Sequence, residues 1–350
     1  MLVYESIHNE PIHFYLEGDF MSNIADIAKR AGVSTGTVSK ILNNDSSVKE
    51  KNRQKVLKAM EDLEYRPNLY ARNLSKGSTK LISVIIPTIG QEFVSRLINS
   101  MDEVFSKYNY DSILFPMLSR ERLTRFEDPF HFLYNTDGMI IASLSISSMF
   151  KEGRLPANKP LVMVDTYDEQ NDCVYVDNYT GGLLAASKIN IEENSNIYII
   201  GGYESDSTFT SKVFEERQRG FFEGLIERGV EQSRIIIKEM DLDWEKAFKS
   251  GKLSALNENK KFSVFCLSDI LARGFIEGAN SVNKKSGKDY SLVGYDNLHF
   301  SEYLNISTIG QPIEEMGRIA AENLITKIKN PDQKTLITKL NPIYFGRNSN

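Results

Sequence analysis

Short runs of apolar residues alternate with longer amphipathic segments along most of the chain, and this alternation restricts the fold more than any other feature. The runs include Leu81–Ile86, Leu161–Val164 and Phe262–Phe265, and the segments between runs include Phe93–Tyr108 and Val213–Arg228. Strands that are apolar at nearly every position are typical of parallel sheets covered by helices on both faces. About ten such runs over roughly 270 residues predict two doubly wound α/β subdomains rather than one sheet.

The net charge of −5 conceals an uneven distribution of charge. Residues 1–20 contain no basic and 4 acidic side chains, residues 21–80 contain 12 basic and 6 acidic ones, and residues 81–350 contain 30 and 37. The balances are therefore −4, +6 and −7, so a compact basic segment precedes an acidic remainder. Such a segment indicates a nucleic-acid partner. A solvated charged surface is the alternative, and charge alone does not separate the two.

Residues 23–64 have the spacing of three short helices. Asn23 followed by Asp26 is a capping-box-like start, and Gly32 after an apolar stripe indicates the end of the first helix. Ser34 is suited to cap the second helix. The third has its apolar residues on one face, namely Val56, Ala59, Met60 and Leu63. Two short helices joined by a tight turn and supported by a third predict a helix-turn-helix, whose second helix is short enough to enter the DNA major groove.

No enzyme signature has the context that its chemistry needs. The pattern G-x-S-x-G occurs at Gly32–Gly36, but a nucleophile elbow follows a strand, and here a helix precedes the motif. The four histidines show no metal-ligand spacing, and the only cysteines, Cys173 and Cys266, exclude a disulfide framework. Phosphate-binding glycine loops are also absent from the sequence. We therefore expect a protein that is not an enzyme and uses no cofactor or metal.

The chain has no apolar run near the roughly 18 residues that a membrane-spanning helix needs. Residues 1–20 contain no Lys or Arg and no continuous apolar stretch, so they match neither a secretory signal nor a transit peptide. We expect a cytoplasmic protein with no membrane partner. Residues 1–20 are interpreted as an extension from an upstream start or an expression leader. The alternative is a genuine acidic arm, whose charge would oppose phosphate binding.

The segment Ser22–Leu74 resembles the DNA-binding headpiece of the lactose and galactose repressor (LacI/GalR) family. It reads SNIADIAKRAGVSTGTVSKILNN, then a charged helix, then YRPN and ARNLSKG. Landmarks in the remainder are VDNYTGG, ERQRGF, VFCLSD, SLVGYDN and STIGQP. The resemblance implies a body like that of periplasmic sugar-binding proteins and the following divisions: helix-turn-helix 21–66, hinge helix and linker 67–79, N-subdomain 80–177 and 312–337, C-subdomain 178–311 and 338–350.

The resemblance also implies which residues bind double-stranded operator DNA. Thr35, Gly36 and Lys40 occupy positions that reach base edges in the family, and Thr37 and Ser39 have hydroxyl groups suited to phosphate. Gly36 has no side chain, and Lys40 stands where an arginine is usual, so the resemblance implies DNA binding but does not imply which operator sequence is read. Further positive charge near phosphate comes from Lys29, Arg53 and Lys55.

Residues 68–75 match the family's hinge helix, which folds in the minor groove when paired with its dimer mate. Ala71 lies in this segment, and Leu74 occupies the position of an apolar wedge that kinks DNA. An ordinary leucine covering the body is the alternative interpretation of Leu74. The resemblance implies a homodimer on a near-palindromic operator, and the absence of leucine heptads after the last strand-like segment favours a dimer over a tetramer.

For the body, the resemblance implies a small effector, a sugar or sugar derivative, between the two subdomains. Arg217 and Asp296 match the family's ligand-binding Arg and Asp, and Asp269 follows a strand at the edge where open sheets bind ligands. A structural ion pair is the alternative for these charged residues. Trp244 and Phe93 fall in segments that face the ligand in the family, with plain core packing as the alternative.

These features predict a transcriptional repressor whose operator affinity the effector controls. Three other functions remain open: control by a phosphocarrier protein partner within the same family, a substrate-binding protein, and an enzyme of doubly wound fold. The absent signal peptide and enzyme motifs count against the last two.

Overall fold

A computed structural model describes residues 23–43, 45–65, 78–128, 131–150, 155, 158–202 and 212–350. The chain divides into two compact units between Gly77 and Ser78. The predicted extension at residues 1–20 and the predicted hinge residues Ala71 and Leu74 lie outside the described residues.

The described part of the first unit consists of three helices, α1 (Ile24–Ala31), α2 (Thr35–Leu42) and α3 (Glu50–Asp62). The capping box at the start of α1 has formed: Asn23 Oδ1 accepts a hydrogen bond from Asp26 N at 3.2 Å, and Asp26 Oδ2 accepts one from Asn23 N at 2.9 Å. Their buried core consists of Ile27, Ala28, Ala31, Val38, Ile41, Val56 and Ala59. The predicted helix-turn-helix is confirmed.

The second unit contains two sheets of six strands each. The first has the order β11-β5-β4-β3-β1-β2, with every pair parallel. The second has the order β12-β10-β9-β8-β6-β7, in which only β12 is antiparallel. The bounds are β1 Leu81–Ile86, β2 Asp111–Pro116, β3 Gly138–Ala142, β4 Leu161–Val164, β5 Asp172–Val176, β6 Ile197–Ile200, β7 Ile235–Lys238, β8 Phe262–Cys266, β9 Tyr290–Asp296, β10 Ser307–Gly310, β11 Ile337–Leu340 and β12 Ile343–Phe345.

Helices lie between the strands, as the apolar and amphipathic alternation predicts. Strands β3, β4, β6, β8 and β9 are buried along their whole length because helices cover both faces of each sheet. The two doubly wound subdomains are thus confirmed. The helices of this unit are α4 Glu92–Lys107, α5 Arg120–Phe126, α6 Ile146–Met149, α7 Asn178–Lys188, α8 Lys212–Glu227, α9 Trp244–Asn257, α10 Asp269–Asn280, α11 His299–Tyr303 and α12 Ile313–Lys329, with short 3-10 turns at Phe132–Tyr134 and Gln232–Arg234.

The chain crosses between the two subdomains three times, after β5, after β10 and after β11. The predicted third boundary at residues 337/338 is wrong, because β11 (Ile337–Leu340) pairs in parallel with β5 and belongs to the first sheet. The crossing falls between Leu340 and Ile343 instead. The misplacement has a physical reason: β11 is an edge strand with a mixed exposed pattern, so it lacks the apolar run that marks a buried strand.

Helices α7 and α8 pack with their backbones in close contact. A Cβ added to Gly182 would lie 2.3 Å from Arg217 O, and one added to Gly220 would lie 2.1 Å from Tyr179 O. Only residues without a side chain allow this approach. The packing brings the first turn of α7, directly after the first crossing, beside the middle of α8, where Arg217 lies.

Candidate functional site

Helix α2 presents a polar face to solvent. Thr35, Gly36, Ser39 and Lys40 are exposed, and Thr37 is half-buried. Ser34 caps the helix by accepting a hydrogen bond from Thr37 N at 3.2 Å, and the two hydroxyl oxygens lie 2.9 Å apart. The four exposed residues are free to meet a groove, whereas the Thr37 hydroxyl is engaged within the helix start.

The basic side chains around this face differ in exposure and in the contacts that they make within the first unit. Lys29 and Lys55 are exposed. Arg53 donates a hydrogen bond to the backbone oxygen of Asp45 at 2.9 Å, and its Nε lies 3.8 Å from Glu50 Oε2. Part of its guanidinium is therefore already bound within the first unit. The lysines are therefore better placed than Arg53 to meet phosphate.

Arg217 and Asp296 form an ion pair in the interior of the second unit. Arg217 Nη1 lies 3.1 Å from Asp296 Oδ1, and the two residues are 2% and 5% exposed. The guanidinium also donates to Asn178 Oδ1 at 2.8 Å and to Leu267 O at 2.7 Å, while Gln311 Nε2 donates to Asp296 Oδ1 at 2.8 Å. Asn178 and Gln311 lie at the first and second crossings. The pair is thus held where the two subdomains meet.

Asp269 is fully buried, and its carboxylate is occupied by contacts within the protein. It accepts hydrogen bonds from Leu298 N at 2.9 Å, Ser301 Oγ at 2.7 Å and Thr308 Oγ1 at 2.7 Å. These donors lie on β10 and on the segment after β9. The geometry favours a positioning role for Asp269, which holds the loop that follows Asp296, over direct contact with a ligand.

The backbone at Asp296 and Asn297 is strained, with φ angles of 110° and 55°. Two consecutive non-glycine residues in this region require support from their surroundings. Arg96 on α4 donates to Asn297 O at 3.1 Å, and Arg347 donates to Asn297 Oδ1 at 2.8 Å. Because α4 covers the first sheet and Asn297 follows a strand of the second, the loop at Asp296 is tied to both subdomains.

Asp165 is a candidate site residue that the sequence prediction did not include. It follows β4 and is 4% exposed, yet its Oδ1 has no hydrogen-bond partner among the described residues. Its Oδ2 accepts a hydrogen bond from Ser143 Oγ at 2.6 Å, and the neighbouring Thr166 Oγ1 is also buried without a partner. The signal available in the sequence was its position at the carboxyl end of a buried parallel strand.

A cavity of about 580 Å³ opens beside Asp165 and Asn178. Its lining includes both ends of the first crossing and the first turn of α8. This volume lies in the range of small-molecule sites. Since Asn178 bonds to Arg217, the ion pair lies directly behind the wall of the cavity.

The two predicted aromatic contacts lie apart from this cavity lining. Phe93, on α4, is half-buried and packs against the core that surrounds the first sheet. Trp244 begins α9, is 38% exposed and lies against Phe248, with 5.4 Å between the ring centroids. Neither ring borders the cavity beside Asp165. Their predicted ligand contacts therefore stay a prediction.

We expect the second unit to become more stable as the pH falls from about 8 to about 5. Burial raises the pKa of Asp269 to about 7 and that of Asp165 to about 6, from 3.8 for both. Over this pH range the two carboxyl groups hold more protons in the folded chain than in the unfolded chain. The free energy of unfolding therefore decreases as the pH rises, by an amount on the order of 1 to 3 kcal/mol. Burial lowers the pKa of His131, and this contribution acts in the opposite direction.

Urea unfolding across this pH range measures the effect. Asp269→Asn should flatten the pH dependence, whereas Asp111→Asn, at an exposed position on β2, should leave it unchanged. A free energy of unfolding that increases steadily from pH 5 to pH 8 would contradict the prediction.

The described ranges contain no group of three or more His, Cys, Asp or Glu side chains that could hold a metal ion. Within the same ranges, no helix is both long and apolar enough to cross a membrane.

An exposed helix-turn-helix in one unit, with a two-sheet body and a buried polar cleft in the other, defines the class of transcription regulators with a periplasmic-binding-protein-like body. Residues 23–68 match the family described as bacterial regulatory proteins, lacI family, and residues 195–346 match the periplasmic binding protein-like domain. The chain belongs to the lacI family.

Relatives of known sequence and structure agree with this assignment. The HTH-type transcriptional repressor PurR of Photobacterium profundum is 27% identical over 94% of this chain and 98% of its own length. A probable transcription regulator from Thermus thermophilus is 30% identical, with a TM-score of 0.64 over 77% of this chain and 97% of its own. A LacI family regulator from Enterococcus faecium with bound ribose is 25% identical, with a TM-score of 0.64 over 77% and 98%. The protein is therefore a DNA-binding transcription regulator, and the enzyme and substrate-binding-protein alternatives are excluded.

Proposed function

We propose that this regulator is a homodimeric, cytoplasmic repressor whose affinity for a near-palindromic operator is set by a small polyhydroxyl effector, a sugar or sugar derivative. The observation that carries the effector part is Asp165, which lines the 580 Å³ cavity and whose buried Oδ1 has no hydrogen-bond partner among the described residues. A buried acceptor without a partner is unfavourable, so a hydroxyl or amine group of a bound molecule would complete its hydrogen bonding.

On the DNA side, α2 lies in the major groove of one half-site. Thr35 and Lys40 contact base edges, Gly36 allows close approach of the backbone, and Ser39 contacts phosphate. Thr37 contacts phosphate by donating its hydroxyl hydrogen while its oxygen accepts one from Ser34. Ala71 and Leu74 enter the minor groove, with Leu74 as the wedge. Two copies are required, because each helix-turn-helix reads one half of a near-palindrome.

On the effector side, Asp165 and Asn178 line the cavity, and the Arg217–Asp296 pair behind its wall holds Asn178 in place. A polyhydroxyl compound suits this lining because a carboxylate accepts hydrogen bonds from hydroxyl groups. The ribose bound to the Enterococcus faecium relative supports this ligand class. Control by a phosphocarrier protein is the alternative, and a cavity with the volume of a small-molecule site favours the small molecule.

Replacing Lys40 with alanine tests the DNA-reading face. An operator is first enriched from a random duplex pool by the parent protein, and affinities for it and for random DNA are measured by fluorescence anisotropy. If Lys40 contacts a base, the substitution should weaken operator binding by about 1 to 3 kcal/mol and random-DNA binding by less. Lys252→Ala, at an exposed position on α9, is the matched control and should change neither. Equal losses on both DNAs would reassign Lys40 to phosphate, and failure to enrich any operator would contradict the function.

A further inference from the structure

Acidic and tyrosine side chains make up half of the described residues that line the cavity beside Asp165. The charged residues of that described lining are five carboxylates and one ammonium group, namely Asp165, Asp168, Glu169, Asp177, Glu216 and Lys212. Such a surplus of negative charge bears on which effector the cavity takes, beyond its being a polyhydroxyl compound.

Two of the carboxylates are neutralised by cations of the protein. Asp177 Oδ2 lies 3.0 Å from Lys339 Nζ, and Glu216 Oε2 lies 2.8 Å from Arg219 Nη2. Arg217, behind the cavity wall, is paired with Asp296. Arg217 also favours the charged form of Asp165, whose pKa it lowers. One guanidinium is thus shared by two carboxylates, so it does not create an anion site.

After these ion pairs, the charged groups that remain in the lining are the carboxylates of Asp165, Asp168 and Glu169 and the ammonium group of Lys212. Asp168 accepts hydrogen bonds from the backbone of Gln170 and Asn171 at 2.8 and 2.9 Å, which hold its carboxylate but do not cancel its charge. Lys212 begins α8, where the helix dipole also favours an anion. Three carboxylates outweigh this single ammonium group and helix end, so the cavity is negative.

Asp165 shows where a positive group would bind. One of its oxygens is occupied by Ser143, and the other is buried with no partner among the described residues. Burial raises the pKa of this carboxyl group to about 6, and a cation bound next to it would favour its ionised form. A protonated amine can donate up to three hydrogen bonds and would also neutralise this buried charge, which a hydroxyl group does not do.

Tyrosine rings supply a second contribution. Tyr167 and Tyr175 line the cavity with ring centroids 5.1 Å apart, and Tyr167 is half exposed. Aromatic faces next to carboxylates attract cations through the ring quadrupole. The third tyrosine of the lining, Tyr179, already has the guanidinium of Arg219 over its ring, at 4.7 Å from the centroid.

We propose that the effector is a hydroxylated amine, such as an amino sugar, whose ammonium group binds Asp165, and that the cavity rejects phosphorylated counterparts. This inference rests on the proposed effector function and specifies the chemistry of the same site. A phosphate ester would place two negative charges beside Asp165 and Glu169.

The test uses the full-length chain and three matched sets of compounds. Each set consists of one amino sugar (glucosamine, galactosamine or mannosamine), the corresponding neutral hexose, and the 6-phosphate of the amino sugar. Thermal melting is followed against the concentration of each compound at pH 7. For at least one set, the amine should raise the melting temperature at roughly a tenth of the concentration that the neutral sugar needs, or less, because a charge-assisted hydrogen bond replaces a neutral one. The 6-phosphate should have no effect.

Asp165→Asn should remove this preference, so that the amine and the neutral sugar bind within about threefold of each other, since the carboxylate charge is lost while an acceptor oxygen is kept. Glu227→Gln, the same exchange at an exposed position outside the cavity, is the control and should keep the preference. If Asp165→Asn proves unstable, Glu169→Gln at the exposed rim serves instead and should reduce the preference without lowering the melting temperature.

Three results would overturn the inference: a phosphate ester that binds more tightly than its amine, an amine preference that survives both substitutions, or no response to any compound. Operator binding is measured on the same preparations. If the operator is bound while no compound acts, the amine inference fails and the DNA-binding function stands.

Discussion

Raising the salt concentration from about 50 to about 200 mM should weaken operator binding by roughly a thousandfold or more. The reason is the charge division of the chain: residues 21–80 have a balance of +6, whereas residues 81–350 have −7. Affinity for DNA then depends on cations of the first unit that release counterions from about 6 to 10 phosphates. The measurement is anisotropy of a labelled operator across this salt range.

Substitution of two exposed lysines of the first unit extends this test. With Lys29 and Lys55 both changed to glutamine, the slope of log affinity against log salt should become shallower by about 2, since each lost phosphate contact contributes about 0.9. The matched control changes Lys249 and Lys252, which are exposed in the second unit, and should leave the slope unchanged. A flat salt response of the parent protein would refute DNA binding by this unit.

Replacing Arg217 with methionine should destabilise the second unit by about 3 to 5 kcal/mol. The substitution leaves the buried Asp296 without its cation, and it leaves Asn178 Oδ1 and Leu267 O without the guanidinium donor. It should also abolish the response to whichever compound acts on the parent protein. Operator affinity, measured well below the melting temperature, should stay near the parent value. Urea unfolding and operator titrations with and without that compound supply the measurements.

A double substitution separates stability from effector binding. Arg217→Met combined with Asp296→Asn removes both charges, so it should recover part of the lost stability, because no unpaired buried charge remains. The effector response should stay lost. Arg273→Met, which removes an exposed ion pair of 2.8 Å with Glu277, is the control and should cost less than about 1 kcal/mol. If the double variant regained both the stability and the effector response, the pair would have only a structural role.

The parts of the fold that depend on local pattern could be predicted from the sequence. Apolar runs and helix caps act within a few residues, and for this reason the helix-turn-helix and the two doubly wound sheets were predicted. The edge strand β11 was misplaced because its side chains alternate between partial exposure and full exposure, and only its pairing with β5 assigns it to the first sheet.

The site residues depend on side-chain direction, which the sequence does not specify. Asp165 and Asp269 both follow buried parallel strands, so position alone treats them alike. In the structure, Asp269 accepts hydrogen bonds from three internal donors, whereas one oxygen of Asp165 has no partner within the described ranges. What separates them is the set of donors that β10 and the loop after β9 bring to Asp269, and these contacts arise only after the chain has folded.

The three crossings have a consequence for synthesis on the ribosome. Helix α12 contributes Ile313, Met316, Ala320 and Leu324 to the core of the first sheet, although the first five strands of that sheet precede residue 177. A nascent chain that has emerged only as far as β10 therefore exposes the apolar surface that α12 later covers. The first subdomain therefore reaches its final packing only after α12 has emerged. We expect nascent chains arrested before α12 to bind chaperones and to be degraded readily, whereas chains released after β12 should escape both fates.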